Sequence, residues 1–333
     1  MNADHLTGAA RPVARPRFSA SADWIGLAAV LAAAGAGYLL FPDNLALLTR
    51  IIGMIMLVLS LDLVTGFCGV ATLGHAALFG AGAYAAGIAA AHFGISDPVA
   101  MIAAGSAGGA LAGLLSGFVI LRGHGLGQLV LSIAIVNLFH EAANKAAGWT
   151  GGSDGLTDIA PTPLFGVFAF DLWGHTAYAL GVALLLIVLF LLQRLARSPF
   201  GMLCRGIRQD PIRVAAMGAP VSKTLLAMYV VSGLVAGVGG GLNAISTQVV
   251  GLDSVSFTLS ASALVMLVLG GTGSLYGAIV GTVVFMLFED FVSAANPFHW
   301  LTIVGALLVL VVLFAPRGIF GTPVRLLERS RRR

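Results

Sequence analysis

Residues 45–91 read LALLTRIIGMIMLVLSLDLVTGFCGVATLGHAALFGAGAYAAGIAAA. The first part, 46–65, is an almost unbroken apolar run. At a rise of about 1.5 Å per residue, some 20 residues cross a hydrocarbon layer of roughly 30 Å. The second part changes character. Gly66, Gly69, Gly74, Gly80, Gly82 and Gly87 punctuate the apolar run from 66 to 87, which fits a broken or re-entrant helix in the third span. Irregular backbone at membrane depth is tolerated only beside protein or a water-filled path, so such a break sits inside a larger assembly of helices.

The rest of the chain supports that reading. Of 333 residues, 58% are hydrophobic and 10% are charged, against roughly a quarter charged in a soluble domain. The expected fold is therefore all-α, a polytopic membrane protein of about ten transmembrane helices with Gly-rich packing. The candidate spans are 24–41, 46–65, 74–93, 98–121, 126–143, 173–193, 223–246, 256–270, 274–293 and 298–316. A cleaved signal peptide is an alternative reading of 24–41, but that stretch is long enough to span and more spans follow.

The net charge of +4 could suggest nucleic acid, but its placement suggests membrane topology. Basic residues gather in three places: the tail 1–23 (Arg11, Arg15, Arg17), the loop 194–222 with its flank (Arg194, Arg197, Arg205, Arg208, Arg213, Lys223), and the tail 317–333. By the positive-inside rule all three face the cytoplasm. An even span count puts both termini there. The loop 144–172, with Asp154, Asp158 and Asp171 against Lys145, falls outside.

Small residues recur at helical spacing. Gly105, Gly109, Gly113 and Gly117 form one stripe, Gly233, Gly237 and Gly241 a second, and Gly277 with Gly281 a third. Between membrane helices close backbone approach supplies the dispersion contacts, so helix packing explains them. A stripe lining a path that slides or opens is the other reading. Gly80-Ala-Gly82-Ala-Tyr84-Ala85 matches a dinucleotide-binding GxGxxA pattern, but it follows no strand.

Ionisable residues within the spans are few, and they include Asp62, His75, His140, Glu141, Glu289 and Asp290. The last four fall at span ends. Asp62 and His75 flank the Gly-rich break and, with Gly74 and Gly80, are the candidates for a translocation path or gate. Holding broken backbone by hydrogen bonds is the structural alternative. Cys68 and Cys204 lie far apart in sequence and match no metal or CxxC spacing. They read as small apolar residues, with no disulfide expected. No catalytic constellation can be drawn. No GxxxxGK[ST] occurs, so the chain carries no P-loop.

Ser198–Lys223, SPFGMLCRGIRQDPIRVAAMGAPVSK, is too short to span. Asp210 before Pro211 is a helix N-cap with proline in the first position. Ile212–Met217 follows as a short helix, and Gly218 stops it before Pro220. A second helix is expected over Gly201–Arg208. Met202, Leu203, Ile207, Ile212 and Met217 suit docking into another protein's groove. An interfacial loop drawn to anionic lipid suits them equally well.

Five collinear stretches resemble one family. Leu73–Tyr84 (LGHAALFGAGAY), Thr150–Leu156 (TGGSDGL), Ser198–Gly218, Leu269–Gly277 (LGGTGSLYG) and Phe314–Gly321 (FAPRGIFG) resemble blocks of branched-chain amino acid ABC transporter permeases, of the LivM type rather than its LivH-type sister. The chain departs from the pattern at Cys204-Arg205-Gly206-Ile207 and at Met217. The resemblance implies a permease subunit importing branched-chain or related amino acids across the inner membrane. The bilayer is its medium, and nucleic acid is not a partner. It implies a second related permease, two ABC ATPase subunits using ATP-Mg, and a periplasmic substrate-binding protein. The chain itself would bind no cofactor and would not be an enzyme. Residues Gly201, Arg205, Arg208, Asp210, Ala215, Ala216 and Gly218 would form the ATPase-coupling loop. Urea or short amides are an alternative cargo within the family. An ion-coupled secondary carrier is the alternative outside it.

Overall fold

The computed structural model describes residues 20–164, 166, 168, 170, 174–295 and 305. The described residues are mainly helical: α1 (Ala20–Leu40), α2 (Leu45–Leu61), α3 (His75–Ala91), α4 (Pro98–Ile120), α5 (Leu126–Lys145), α6 (Ala147–Thr150), α7 (His175–Arg197), α8 (Pro199–Gln209), α9 (Pro211–Ala216), α10 (Val221–Thr247), α11 (Phe257–Gly270) and α12 (Leu275–Ala295). Two isolated bridges, Leu156 with Val250 and Leu164 with Phe168, are the only β pairings among the described residues.

Among the described residues six segments are long and apolar enough to cross a membrane: Pro42–Phe67, Pro98–Ile120, Leu126–Lys145, His175–Arg197, Val221–Thr247 and Leu275–Ala294. The expected count of about ten is not reached on length and composition alone. Trp24–Leu40, His75–Ala91 and Phe257–Gly270 are apolar but shorter. Span 298–316, tail 317–333, block 314–321 and residues 1–19 lie outside the described residues, and α1 begins within the expected 1–23 tail. The physical reason for the short helices is visible at their ends. The seven residues before α3 are irregular. Gly271, at φ +106, ends α11 in a conformation that side chains disfavour.

The helix break sits elsewhere than expected. After Leu61 the helix widens into a π-helix, Asp62–Phe67, and the chain then runs irregularly to Gly74. Helix α3 itself is continuous despite Gly80, Gly82 and Gly87.

Helix α10 is central, packed on α4, α3 and α2. The two longest glycine stripes interlock. A Cβ on Gly233 would overlap the Gly109 carbonyl oxygen, and one on Gly109 would overlap that of Gly233. A Cβ on Gly105 would stand 2.9 Å from the Gly237 oxygen, and one on Gly113 would stand 2.7 Å from the Tyr229 oxygen. The third stripe behaves alike: Gly277 would meet the Gly270 oxygen at 2.8 Å, pinning α12 to α11. These stripes serve packing. Backbone-to-backbone approach of this kind replaces the hydrophobic drive that lipid removes.

The loops sort into two ends. At one end, called here the basic end, the 62–74 break, the 198–220 hairpin and the 271–274 turn converge. At the other, Leu156 and Val250 exchange backbone hydrogen bonds of 2.9 and 3.0 Å, Thr162 donates its N–H to Ser96, and His92 packs on Trp149.

Candidate functional site

The hairpin is built by its caps. The Ser198 hydroxyl accepts from the Gly201 N–H at 3.2 Å and starts α8 at Pro199. Asp210 starts α9: one carboxylate oxygen accepts the Arg213 N–H at 2.9 Å, and the other pairs with the Arg213 guanidinium at 3.3 Å. Gly218, at φ +85, closes it. Gly201, Cys204 and Ile207 recur every third residue and form the buried face of α8. Gly201 lies against the Leu195 carbonyl at the end of α7, where any Cβ would overlap. The outer face carries Met202, Ile212 and Met217, which are 58%, 81% and 73% exposed, with Ala215 and Ala216 beside them. Of the five apolar residues singled out in the sequence, Ile207 is turned inward and Leu203 is half-buried. Asp210→Ala is expected to remove about 1 kcal/mol from α9. Faster protease cleavage within 210–217, suppressed by Asp210→Ser, checks this.

The inner face of the hairpin reaches the helix break. The Arg208 guanidinium donates to the Gly66 carbonyl oxygen, which belongs to the π-helix. The Arg205 guanidinium lies 4.8 Å from the centre of the Phe67 ring, a cation–π contact. Gly69, at φ +77, leaves room for Arg208, whose Cγ would be 2.8 Å from any Cβ there. Asp62 is fully buried. One of its carboxylate oxygens accepts the Gly273 N–H at 2.6 Å, and the other has no hydrogen-bond partner among the described residues. A buried carboxyl group is costly unless it is hydrogen-bonded, so the Asp62–Gly273 bond ties the end of α2 to the α11–α12 turn. Arg208, Gly66, Asp62 and Gly273 thus join the hairpin, the end of α2 and the α11–α12 turn in one cluster. Arg205 and Arg208, expected in the coupling loop, therefore meet Asp62, expected at the gate. Cys68 and Cys204 are both free and buried, on the break and on α8.

His75 and Gly74 lie apart from that cluster, at the start of α3. His75 is fully buried, with Nε2 at 2.8 Å from the Ser232 hydroxyl. That hydroxyl donates to the Ser60 carbonyl at 2.8 Å, so Nε2 carries the proton that His75 donates. The exposed N–H groups of the first turn of α3 are satisfied from neighbouring segments: Gly74 donates to Thr72 at 3.1 Å, Leu73 to Ser132 at 2.9 Å and Ala76 to Ser260 at 2.9 Å. Tyr229 completes the set, donating to Thr72 at 3.0 Å. Gly80 faces the 252–255 turn, where Ser254 O would be 2.7 Å from a Cβ.

The partners Gly273, Thr72, Ser132, Ser232 and Ser260 were not singled out from sequence. Hydroxyls within apolar helices are a signal for interhelical bonding, but they name no partner.

Residues 44–313 match the family model described as "Branched-chain amino acid transport system / permease component". The chain is similar to the high-affinity branched-chain amino acid transport system permease protein LivM of Salmonella typhimurium, at 28% identity over 80% of this chain and 67% of the relative. Similarity to LivM of Escherichia coli K12 is also 28%, over 83% and 69%. A probable LivH permease of Methanocaldococcus jannaschii is 31% identical, but over only 44% of this chain and 48% of the relative. No solved structure matches.

Proposed function

The chain belongs to the branched-chain amino acid transport permease family, and on that premise we propose that its 198–218 hairpin is where an ATPase subunit drives transport. That family is one of multi-pass transport permeases rather than of enzymes. The observation that carries the proposal is Arg208 seated on the Gly66 carbonyl beside the Asp62–Gly273 bond. A push on the exposed Met202, Ile212 and Met217 face is transmitted through Arg208 to two hinge-like segments at once, the π-helix and the 271–274 turn. Local departures from regular helix of this kind concentrate at functional positions.

In this reading the chain crosses the bilayer about ten times, with α1–α5, α7 and α10–α12 among the crossings. The pairing of the loops at two opposite ends supports that topology. The basic end, with both termini, faces the cytoplasm of a cell whose inner membrane holds the chain. A second related permease shares the path, two ATPase subunits consume ATP-Mg, and a periplasmic binding protein delivers branched-chain or related amino acids.

The test is uptake by proteoliposomes holding both permeases, the ATPases and the binding protein. Leucine uptake that requires ATP supports the proposal; uptake driven by an ion gradient without the ATPases would overturn it. Competition by urea or short amides in place of leucine would change the cargo and leave the coupling intact. Ala215→Pro, which removes a backbone donor within α9, is expected to abolish ATP-driven uptake while the chain still inserts. Normal uptake by this variant would remove the hairpin from the mechanism.

A further inference from the structure

We infer that the cavity between the start of α1 and the last turn of α7 binds the headgroup of an anionic phospholipid. The cavity holds about 330 Å³, and Trp24, Leu27, Phe190, Gln193, Arg194 and Arg197 are among the residues that line it. Helix α7 runs 23 residues, His175–Arg197, about 34 Å at a rise of roughly 1.5 Å per residue. When it crosses the bilayer, Arg194 and Arg197 in its last turn stand at the headgroup layer. Basic pockets between helices at that depth take anionic headgroups. One and two turns deeper on the face of Arg194, Leu191 and Ile187 are exposed, an apolar track for the acyl chains.

Phe190 organises the polar edge. Its ring centre is 6.1 Å from that of Trp24, an interfacial residue type. It is 5.3 Å from the Arg194 guanidinium, which a cation–π contact holds beside the cavity. Gln193 sets the cavity apart from a solvated patch of cations. It is 6% exposed, its Nε2 donates to the Tyr276 hydroxyl at 2.8 Å, and its Oε1 has no hydrogen-bond partner among the described residues. A buried acceptor left unpaired is costly, and a donor on a ligand relieves it. The wall behind it is fixed, because Gly26 of α1 faces Tyr276 of α12 where any Cβ would overlap the hydroxyl. An anionic phospholipid with a hydroxyl in its headgroup meets both needs: the phosphate pairs with Arg194, and the hydroxyl donates to Gln193 Oε1. The site needs only that α7 crosses the bilayer, so it is independent of the coupling reading above.

The test uses the full chain in detergent micelles with phosphatidylglycerol that carries a photoactivatable diazirine in its headgroup. After irradiation, adducts are expected on the peptides holding 24–27 and 190–197. Excess unmodified phosphatidylglycerol is expected to suppress them, and equal amounts of phosphatidylcholine or inorganic phosphate to leave them. Adducts confined to other peptides, or suppression by phosphatidylcholine as strong as by phosphatidylglycerol, would overturn the site. Suppression by inorganic phosphate would overturn the lipid in favour of a free anion. Arg194→Gln is expected to weaken the phosphatidylglycerol competition roughly fivefold, the share of one interfacial cation. Arg122→Gln removes an exposed guanidinium 4.3 Å from the Phe118 ring centre, just beyond α4, and is expected to leave the competition unchanged. Undiminished competition in Arg194→Gln, or equal weakening by both variants, would reduce the binding to general surface charge and overturn the site. The adduct map is read on the wild-type chain and so holds whether or not either variant folds.

Discussion

Arg208→Glu in the reconstituted transporter is expected to abolish ATP-driven uptake while the chain inserts and assembles normally. The substitution deletes the donor to the Gly66 carbonyl and puts a second negative charge near the buried Asp62 carboxylate, one of whose oxygens has no hydrogen-bond partner among the described residues. Arg208 is itself solvent-exposed, so what is lost is a hydrogen bond from a charged donor, about 1.5–3 kcal/mol. That lowers the population of the seated hairpin by roughly 10-fold or more. ATP hydrolysis by the partner subunits is expected to continue, uncoupled, because the outer face of the hairpin is untouched. Arg208→Lys keeps the charge but not the planar donor fork and should retain part of the uptake. Measuring uptake and hydrolysis side by side decides the matter. Wild-type uptake by Arg208→Glu would leave the cluster without a role in coupling.

The largest effect on folding is expected from Gly237→Leu. Gly237 faces Gly105 and Ser106 of α4 and Gly82 of α3, with the nearest Ser106 atom 3.0 Å from a Cβ and the Gly105 carbonyl closer still. Rigid backbone cannot yield as a side-chain tip can, and overpacking costs typically 1–3 kcal/mol, more where nothing can move. The seam runs through the centre of the bundle, so α3, α4 and α10 would have to separate together. The variant is expected to lose most of its detergent-stable, monodisperse population, read by fluorescence-detected size exclusion after heating. Gly127→Ala is the matched control. That glycine lies within α5 with nothing within 4 Å of a Cβ, and the change should be neutral or stabilising by a few tenths of a kcal/mol. Equal losses in both variants would show that added bulk alone, rather than the seam, is responsible.

How much of this was legible beforehand follows a physical line. Local signals were read correctly. Asp210 capping Pro211 and Gly218 stopping α9 depend on a few neighbouring dihedrals and hydrogen bonds, and α9 begins and ends within a residue or so of where those signals put it. The glycine stripes were legible as packing surfaces because a four-residue period fixes a face whatever lies opposite. The break near residue 66 was legible as a break but was placed too far along. Glycine marks where a helix is permitted to yield, whereas the π-helix at 62–67 lies where Arg208 of a distant segment donates to the Gly66 carbonyl.

Pairing across distance was not legible. Asp62 and Arg208 were singled out for separate reasons, and nothing in the order of residues joins them. Three chain segments must converge before the carboxylate meets the Gly273 N–H and the guanidinium meets the Gly66 carbonyl. Composition and periodicity alone were enough to make this a Gly-packed membrane helix bundle, because burial in lipid acts on each residue by its chemistry. Which loop touches which helix end had to wait for the folded chain, because a contact between distant segments is a property of the packing and leaves no local trace.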